Sequence, residues 1–283
     1  MILVIGATGV VGREVIPRVL EYGQAVRAMS RSPEKWRSRF DPAVELVRGD
    51  LEDSASLRAA LTGIERVFLV TPSMDGQPPD AMICALALQA GVRQIVRLSV
   101  LQAGGDENDP VTGWHTTAEN AMKASGLAWT FLRPGGFMSN TLGWAEMIRR
   151  DHTVRTLFAD QPVAWIDPAD IGAVAARVLT EEGHDGQAYP LSGPEALSPR
   201  EQAAILGTAR GAPIEVVDLP PAQVRAALIG QGMTPERADA VLAMRGTDAV
   251  TLGMTVYPTV ERITGQAPRT YAEWVAAHID MFR

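Results

Sequence analysis

An unbroken apolar run, Ile2-Leu3-Val4-Ile5, turns directly into Gly6-Ala7-Thr8-Gly9-Val10-Val11-Gly12, and apolar residues then recur at helical spacing as far as Tyr22. A strand, a glycine turn and a helix in that order leave few folds open. Gly6 permits a tight turn, Gly9 lets backbone come close to a diphosphate, and Gly12 lets the helix pack against the strand. The helix start, with Thr8, Val10 and Val11, offers N–H groups and the positive end of the helix dipole to phosphate oxygens. A tight βα turn with no ligand is the plainer alternative, but this turn opens a repeated βα pattern, which favours dinucleotide binding.

Short β-branched runs alternate with helical patterns through the first half of the chain. Strands are expected at Ile2–Ile5, Ala25–Met29, Val44–Val47, Arg66–Val70, Gln94–Leu98 and Ala128–Leu132. Helices are expected at Val10–Tyr22, Pro33–Phe40, Ser54–Leu61, Pro79–Ala90 and Trp114–Ser125. Strands joined by helices of this length pair in parallel, and strands apolar on both faces need helices on both sides of the sheet. The fold class is therefore α/β, a Rossmann-type doubly wound parallel sheet with a smaller C-terminal α+β annex.

Past Phe137 the pattern loosens. Gln161–Ile166 reads as a short strand, and Asp167-Pro168-Ala169-Asp170 opens a helix, with Asp167 as its cap and Asp170 favourable to its dipole. Both aspartates read as structural. A strand at Gln187–Leu191, a helix at Pro199–Ala209, a strand at Ile214–Leu219 and a run of short helices after Pro220-Pro221 complete the expectation. Residues 1–150 would form the cofactor domain and 151–283 a substrate-binding annex packed on the sheet.

Composition narrows the partners. A formal net charge of −7 with dispersed basic residues argues against nucleic acid, which needs a clustered cationic surface. The single cysteine, Cys84, excludes an intrachain disulfide and fits a reducing compartment; set in Met82-Ile83-Cys84-Ala85-Leu86, it reads as a buried thiol. The apolar N-terminus lacks a basic leader and reads as a strand, and no apolar stretch is long enough to span a bilayer, so a cytoplasmic protein without membrane contact is expected. His152, His184 and His278 are not spaced as metal ligands, and no metal site is expected.

The end of the second strand bears on the cofactor. NAD enzymes place an acid there for the ribose hydroxyls. This chain reads Ala28-Met29-Ser30-Arg31-Ser32, without an acid, and Lys35 follows one turn later. A guanidinium suits a 2′-phosphate, which favours NADP(H) over NAD(H). The alternative is an arginine on a solvated loop.

With these residues placed, the chain resembles the NmrA-like family, an atypical branch of the short-chain dehydrogenases and reductases. The resemblance spans nearly the whole chain and is carried by GATGVVG at Gly6–Gly12, RGDLED at Arg48–Asp53, VRLSVLQA at Val96–Ala103, WHTTAEN at Trp114–Asn120, LAWTFLRPGGFMSN at Leu127–Asn140 and VAWIDPADI at Val163–Ile171. It implies an NAD(P)H-dependent reductase of the quinone, azo or triphenylmethane-dye type. It also implies that Asp50 and Leu51 flank the adenine, that Thr71, Pro72 and Ser73 border the ribose, and that Ser99, Val100, Pro134, Gly135, Gly136 and Phe137 line the nicotinamide end. Ordinary readings stand beside these: Asp50 as a helix cap, Thr71-Pro72 as a turn, the glycine pair as a loop.

Where most of the superfamily carries Tyr-x-x-x-Lys, this chain reads His115-Thr116-Thr117-Ala118-Glu119, as its branch commonly does. His115 would donate a proton to a reduced substrate, with Glu119 orienting it and Ser99 beside them; alternatively both belong to a packing network around Trp114. Met74, Trp114, Phe137, Met138, Trp144, Met147 and Trp165 form the apolar set for a flat aromatic ligand, with core packing expected for at least half of them. The leading expectation is an NADPH-dependent oxidoreductase, monomeric or homodimeric, that passes hydride to a planar aromatic or quinone-like molecule, in secondary metabolism. A redox-sensing dinucleotide-binding protein without turnover is the alternative, followed by an isomerase or dehydratase with a retained cofactor.

Overall fold

In the computed structural model, which describes residues 1–71, 77–243 and 248–283, the chain divides into two compact units. The first comprises Met1–Pro134, Pro168–Pro190 and Arg262–Gly265; the second comprises Gly135–Asp167, Leu191–Glu261 and Gln266–Arg283. The first break falls at Pro134 and not after residue 150, and the chain returns to the first unit to complete its sheet.

Seven strands make that sheet: β1 (Ile2–Ile5), β2 (Val26–Ser30), β3 (Glu45–Arg48), β4 (Arg66–Leu69), β5 (Gln94–Leu98), β6 (Ala128–Pro134) and β8 (Gln187–Leu191), in the order β3-β2-β1-β4-β5-β6-β8. Strands β1 to β6 are mutually parallel, in registers such as Val4 beside Ala28 and Val4 beside Phe68. All four residues of β1 are buried, as the middle of a sheet covered on both faces requires. The crossovers are α1 (Gly12–Glu21), α2 (Ser54–Leu61), α3 (Asp80–Gln89) and α4 (Gly113–Lys123), with α6 (Pro168–Thr180) opening at Pro168 as expected. Helix α6 lies close on α1: a Cβ on Gly172 would stand 2.8 Å from the Glu14 backbone. One core runs through this unit, with Leu3, Ile5, Leu57, Ile83, Ile95 and Phe131 in it. Cys84 is buried within it, and burial pushes its thiol up to about 11.

The second unit holds α5 (Ala145–Asp151), β7 (Thr153–Thr156), α7 (Pro199–Arg210), β9 (Glu215–Asp218), α8 (Pro221–Gly230), α9 (Pro235–Ala243), α10 (Asp248–Met254) and α12 (Tyr271–His278), while α11 (Thr259–Thr264) spans a change of unit. Strands β7 and β9 pair in parallel. Helices α7 and α12 each begin with a capping box, Ser198 with Glu201 and Thr270 with Glu273. Their apolar faces join Ile148, Val154 and Phe282 in a second core around Tyr271 and Trp274.

Two expected elements are corrected. Pro33–Phe40 is not one helix but two short 3₁₀ turns, Pro33–Lys35 and Arg37–Arg39, with no buried residue in either. Without an apolar face to pack, so short a segment does not sustain a helix. Gln161–Ile166 is not a strand; Val163 bridges Leu197 and Ile166 bridges Phe137, on different neighbours. Pro162 lacks the N–H a ladder needs. No described helix is long and apolar enough to cross a membrane.

Candidate functional site

The glycine turn follows the reading of its residues. Gly6 has φ +83°, and a Cβ there would meet the Val70 side chain at 2.7 Å. A Cβ on Gly12 would stand 2.2 Å from the Gly6 carbonyl oxygen, so α1 approaches the turn as closely as it does only because Gly12 is bare. Gly9 differs. It is exposed, and an added Cβ would meet only the Gly6 carbonyl oxygen, at 3.2 Å. No described side chain caps α1; the Arg13 and Glu14 N–H groups donate to the Gly9 and Val11 carbonyls, which leaves the donors for an outside acceptor in the turn ahead of them, up to Gly12. This is a cradle that fits a dinucleotide pyrophosphate.

Next to it in the sheet, β2 ends at Ser30, and Arg31 and Lys35 follow, both exposed and without an ion-pair partner among the described residues. Arg48, which pairs with Ser30 in register at the end of β3, is also exposed and without an ion pair. Sequence reading missed it because nothing in the chain order places residue 48 beside residue 30. Asp50 is committed to its own turn, where its Oδ1 accepts from the Glu52 N–H at 3.1 Å; the cap of α2 is Asp53. Leu51 packs against the core.

Two buried polar clusters stand at the ends of β4 to β6. In the first, Arg97 is fully buried and its Nε donates to Asp80 Oδ1 at 2.6 Å, with Asp80 also fully buried. Arg97 Nη2 donates to Thr71 Oγ1 at 3.1 Å, Nη1 donates to the Leu98 carbonyl at 2.9 Å, and Nη1 lies 3.3 Å from His115 Nδ1. A guanidinium only donates, so His115 Nδ1 is the acceptor, and a neutral His115 carries its proton on Nε2. The Trp114 ring lies edge-on to His115, and the Arg97 guanidinium is 5.5 Å from the Trp114 ring centre.

In the second cluster, the fully buried Glu119 accepts from Ser99 Oγ at 2.7 Å and from Arg133 Nε and Nη2 at 2.9 and 2.5 Å. Glu119 thus binds Ser99 and Arg133, with the Lys123 ammonium 3.8 Å away. The pair ties α4 to β5 and β6. Arg97, Asp80 and Arg133 went unremarked in the sequence because their partners lie 14 to 17 residues away.

Val100 follows Ser99 beyond β5, and the Leu101 N–H donates to the Pro134 carbonyl at 2.9 Å. Pro72, Ser73 and Met74 lie outside the described residues. Gly135, Gly136 and Phe137 fall in the second unit, where a Cβ on Gly136 would stand 2.5 Å from the Trp165 ring. Met138 is fully buried in the second core and presents no surface to a ligand; Met147 and Phe137 are half-buried. Trp144 and Trp165 line a common cavity of the second unit.

A doubly wound sheet carrying a glycine cradle at the end of β1 defines a dinucleotide-binding protein. A family model for NAD(P)H-binding proteins matches residues 6–182, more than half the chain, and the chain belongs to that family. It is 42% identical, over all of its length and 99% of the relative's, to the (4-alkanoyl-5-oxo-2,5-dihydrofuran-3-yl)methyl phosphate reductase of Streptomyces griseus. It is 37% identical, with the same coverage, to the NAD(P)H azoreductase of Xenophilus azovorans. Its fold matches that of the NADPH-dependent quinone oxidoreductase of Escherichia coli complexed with NADPH, with a TM-score of 0.82 and 30% identity over 98% of this chain and 99% of that one.

Proposed function

We propose that the chain is an NADPH-dependent reductase of planar, electron-poor aromatic or quinone-like small molecules. The observation that carries the cofactor choice is Arg31, exposed and without an ion pair among the described residues, following β2 where an acid would hold a ribose hydroxyl. The full-length likeness to reductases of azo and quinone compounds supports the acceptor class.

When bound, the nicotinamide supplies the hydride. The chain's own part is to hold and orient. The glycine turn and the start of α1 receive the pyrophosphate, and Arg31, Lys35 and Arg48 supply cations for a 2′-phosphate. His115 holds a proton at Nε2 while Arg97 fixes its ring through Nδ1. Ser99, committed to Glu119, acts as a positioning residue. Electron-poor acceptors need no tyrosine base, because the oxygen or nitrogen they expose on reduction takes its proton from solvent, while the His115 Nε2–H can donate a hydrogen bond to it.

The test is NADPH oxidation by purified protein against a panel of quinones and azo dyes, repeated with Arg31→Ala. Turnover is expected, with KM for NADPH raised roughly 10- to 100-fold in the variant and KM for NADH nearly unchanged, since a charge-assisted contact is worth about 1.5–3 kcal/mol. Tight NADPH binding without oxidation of any acceptor, with NADP⁺ and NADPH bound very unequally, would replace this reading with that of a redox sensor.

A further inference from the structure

Arg97 is more constrained than a buried ion pair requires. Its Nε donates to Asp80 Oδ1 at 2.6 Å, its Nη2 donates to Thr71 Oγ1 at 3.1 Å, and the Thr71 hydroxyl in turn donates to Asp80 Oδ2 at 3.4 Å. Those three contacts close a ring that joins the chain just past β4, the start of α3 and β5. With Nη1 also donating to the Leu98 carbonyl at 2.9 Å, the plane of the guanidinium is fixed. Asp80 and Arg97 are fully buried and Thr71 is 5% exposed, so water does not compete for these groups.

A guanidinium pinned in this way has one direction left for its second Nη1 proton, and His115 Nδ1 stands there at 3.3 Å. An ion pair kept for stability alone needs no such aim, and replacing a buried pair by apolar residues of similar volume often costs nothing. His115 is half-buried on the first turn of α4, and with Nδ1 accepting, Nε2–H is the donor of its ring. His278 makes the contrast. Its Nδ1 lies 2.8 Å from the Trp274 carbonyl oxygen, which only accepts, so a neutral His278 carries its proton on Nδ1. The chain thus holds two histidines in opposite tautomers, each selected by the group beside it.

We propose that Asp80, Thr71 and Arg97 are positioning residues: together they aim one N–H at His115 Nδ1, and so fix both the tautomer and the tilt of a ring whose Nε2–H meets an acceptor atom on the bound molecule. The aim itself stands apart from the reductase reading; only its effect on turnover rests on that reading. Nitrogen-15 NMR of the histidine rings in the full chain tests it, at a pH about two units above the ordinary histidine value so that only neutral forms contribute. The His115 signals are those lost in His115→Gln, and His278 supplies the opposite tautomer in the same spectrum. Arg97→Lys keeps a cation against Asp80 but gives up the planar fork. Arg97→Met combined with Asp80→Leu removes both charges and strands neither.

In the wild type, His115 is expected to show a bare Nδ1 and a protonated Nε2, the reverse of His278. In Arg97→Lys and in the double variant its two signals are expected to move toward each other as the tautomers mix. Unchanged signals from His184, in the first unit, and His278, in the second, show that both units stay folded. With any acceptor that the wild type reduces, kcat of Arg97→Lys is expected to fall about tenfold while KM for NADPH holds, because a loosened donor loses its hydrogen bond in the transition state. A protonated Nδ1 in wild-type His115, or ring signals that neither variant moves, would overturn the inference whatever the turnover. The expected tautomers in a protein that oxidises no NADPH would remove the reductase and leave the positioning role in place.

Discussion

Arg97 and Asp80 are the two residues on which the site's geometry depends most. Both are fully buried, and the guanidinium distributes its donors among a carboxylate, a hydroxyl, a carbonyl and the His115 ring. A buried ion pair need not add net stability, but removing one partner strands the other charge away from water. Asp80→Ala is therefore expected to cost about 3–5 kcal/mol, read as a lower urea midpoint. An unchanged midpoint would mean that Arg97 reaches water or another anion. A lone arginine inside Gln94-Ile95-Val96-Arg97-Leu98 looks like the surface residue of a strand, and only the folded chain brings Asp80 against it. His115 was visible as a candidate from its place in the family pattern, but its tautomer was not, because that follows from Arg97.

At the scale of elements, the strands of the sheet were legible to within a residue or two because burial on both faces writes itself as a plain apolar run. Elements whose stability comes from neighbours were not. Helix α5 and strand β7 went unread: Ala145–Asp151 is short and carries Glu146, Arg149, Arg150 and Asp151, and Thr153–Thr156 becomes a strand only through pairing with β9, some sixty residues away. The contact of α1 with α6 is of the same kind. A Cβ on Gly172 would stand 2.7 Å from Glu14 Cβ and 2.8 Å from its backbone, so the two helices must separate to admit one. Gly172→Ala is expected to destabilise by about 1–3 kcal/mol, despite alanine's better helix propensity, and to lower Tm. A raised Tm would show that propensity outweighs packing at this crossing.

Across the whole molecule, burial is uneven. Strands β1, β4 and β5 are almost entirely buried, whereas α8 buries only Val224 and α9 only Ala238. Hydrogen exchange followed by mass spectrometry is expected to label α8 and α9 first and β1, β4 and β5 last, because opening a segment with little buried apolar surface costs least. Equal protection across these segments would contradict that ordering. The amino-acid sequence alone determined the α/β class, the glycine turn and the place of Arg31 and Lys35 after β2, because turn geometry and two-sided burial act through residues close together in the chain. The division at Pro134, the return of the chain to complete the sheet, the pairing of Arg97 with Asp80 and of Glu119 with Arg133, and the cavity beside Trp144 and Trp165 were decided by tertiary structure. Each depends on which distant groups share a buried space, and a buried charge or amide selects its partner by proximity in the fold and not by spacing along the chain.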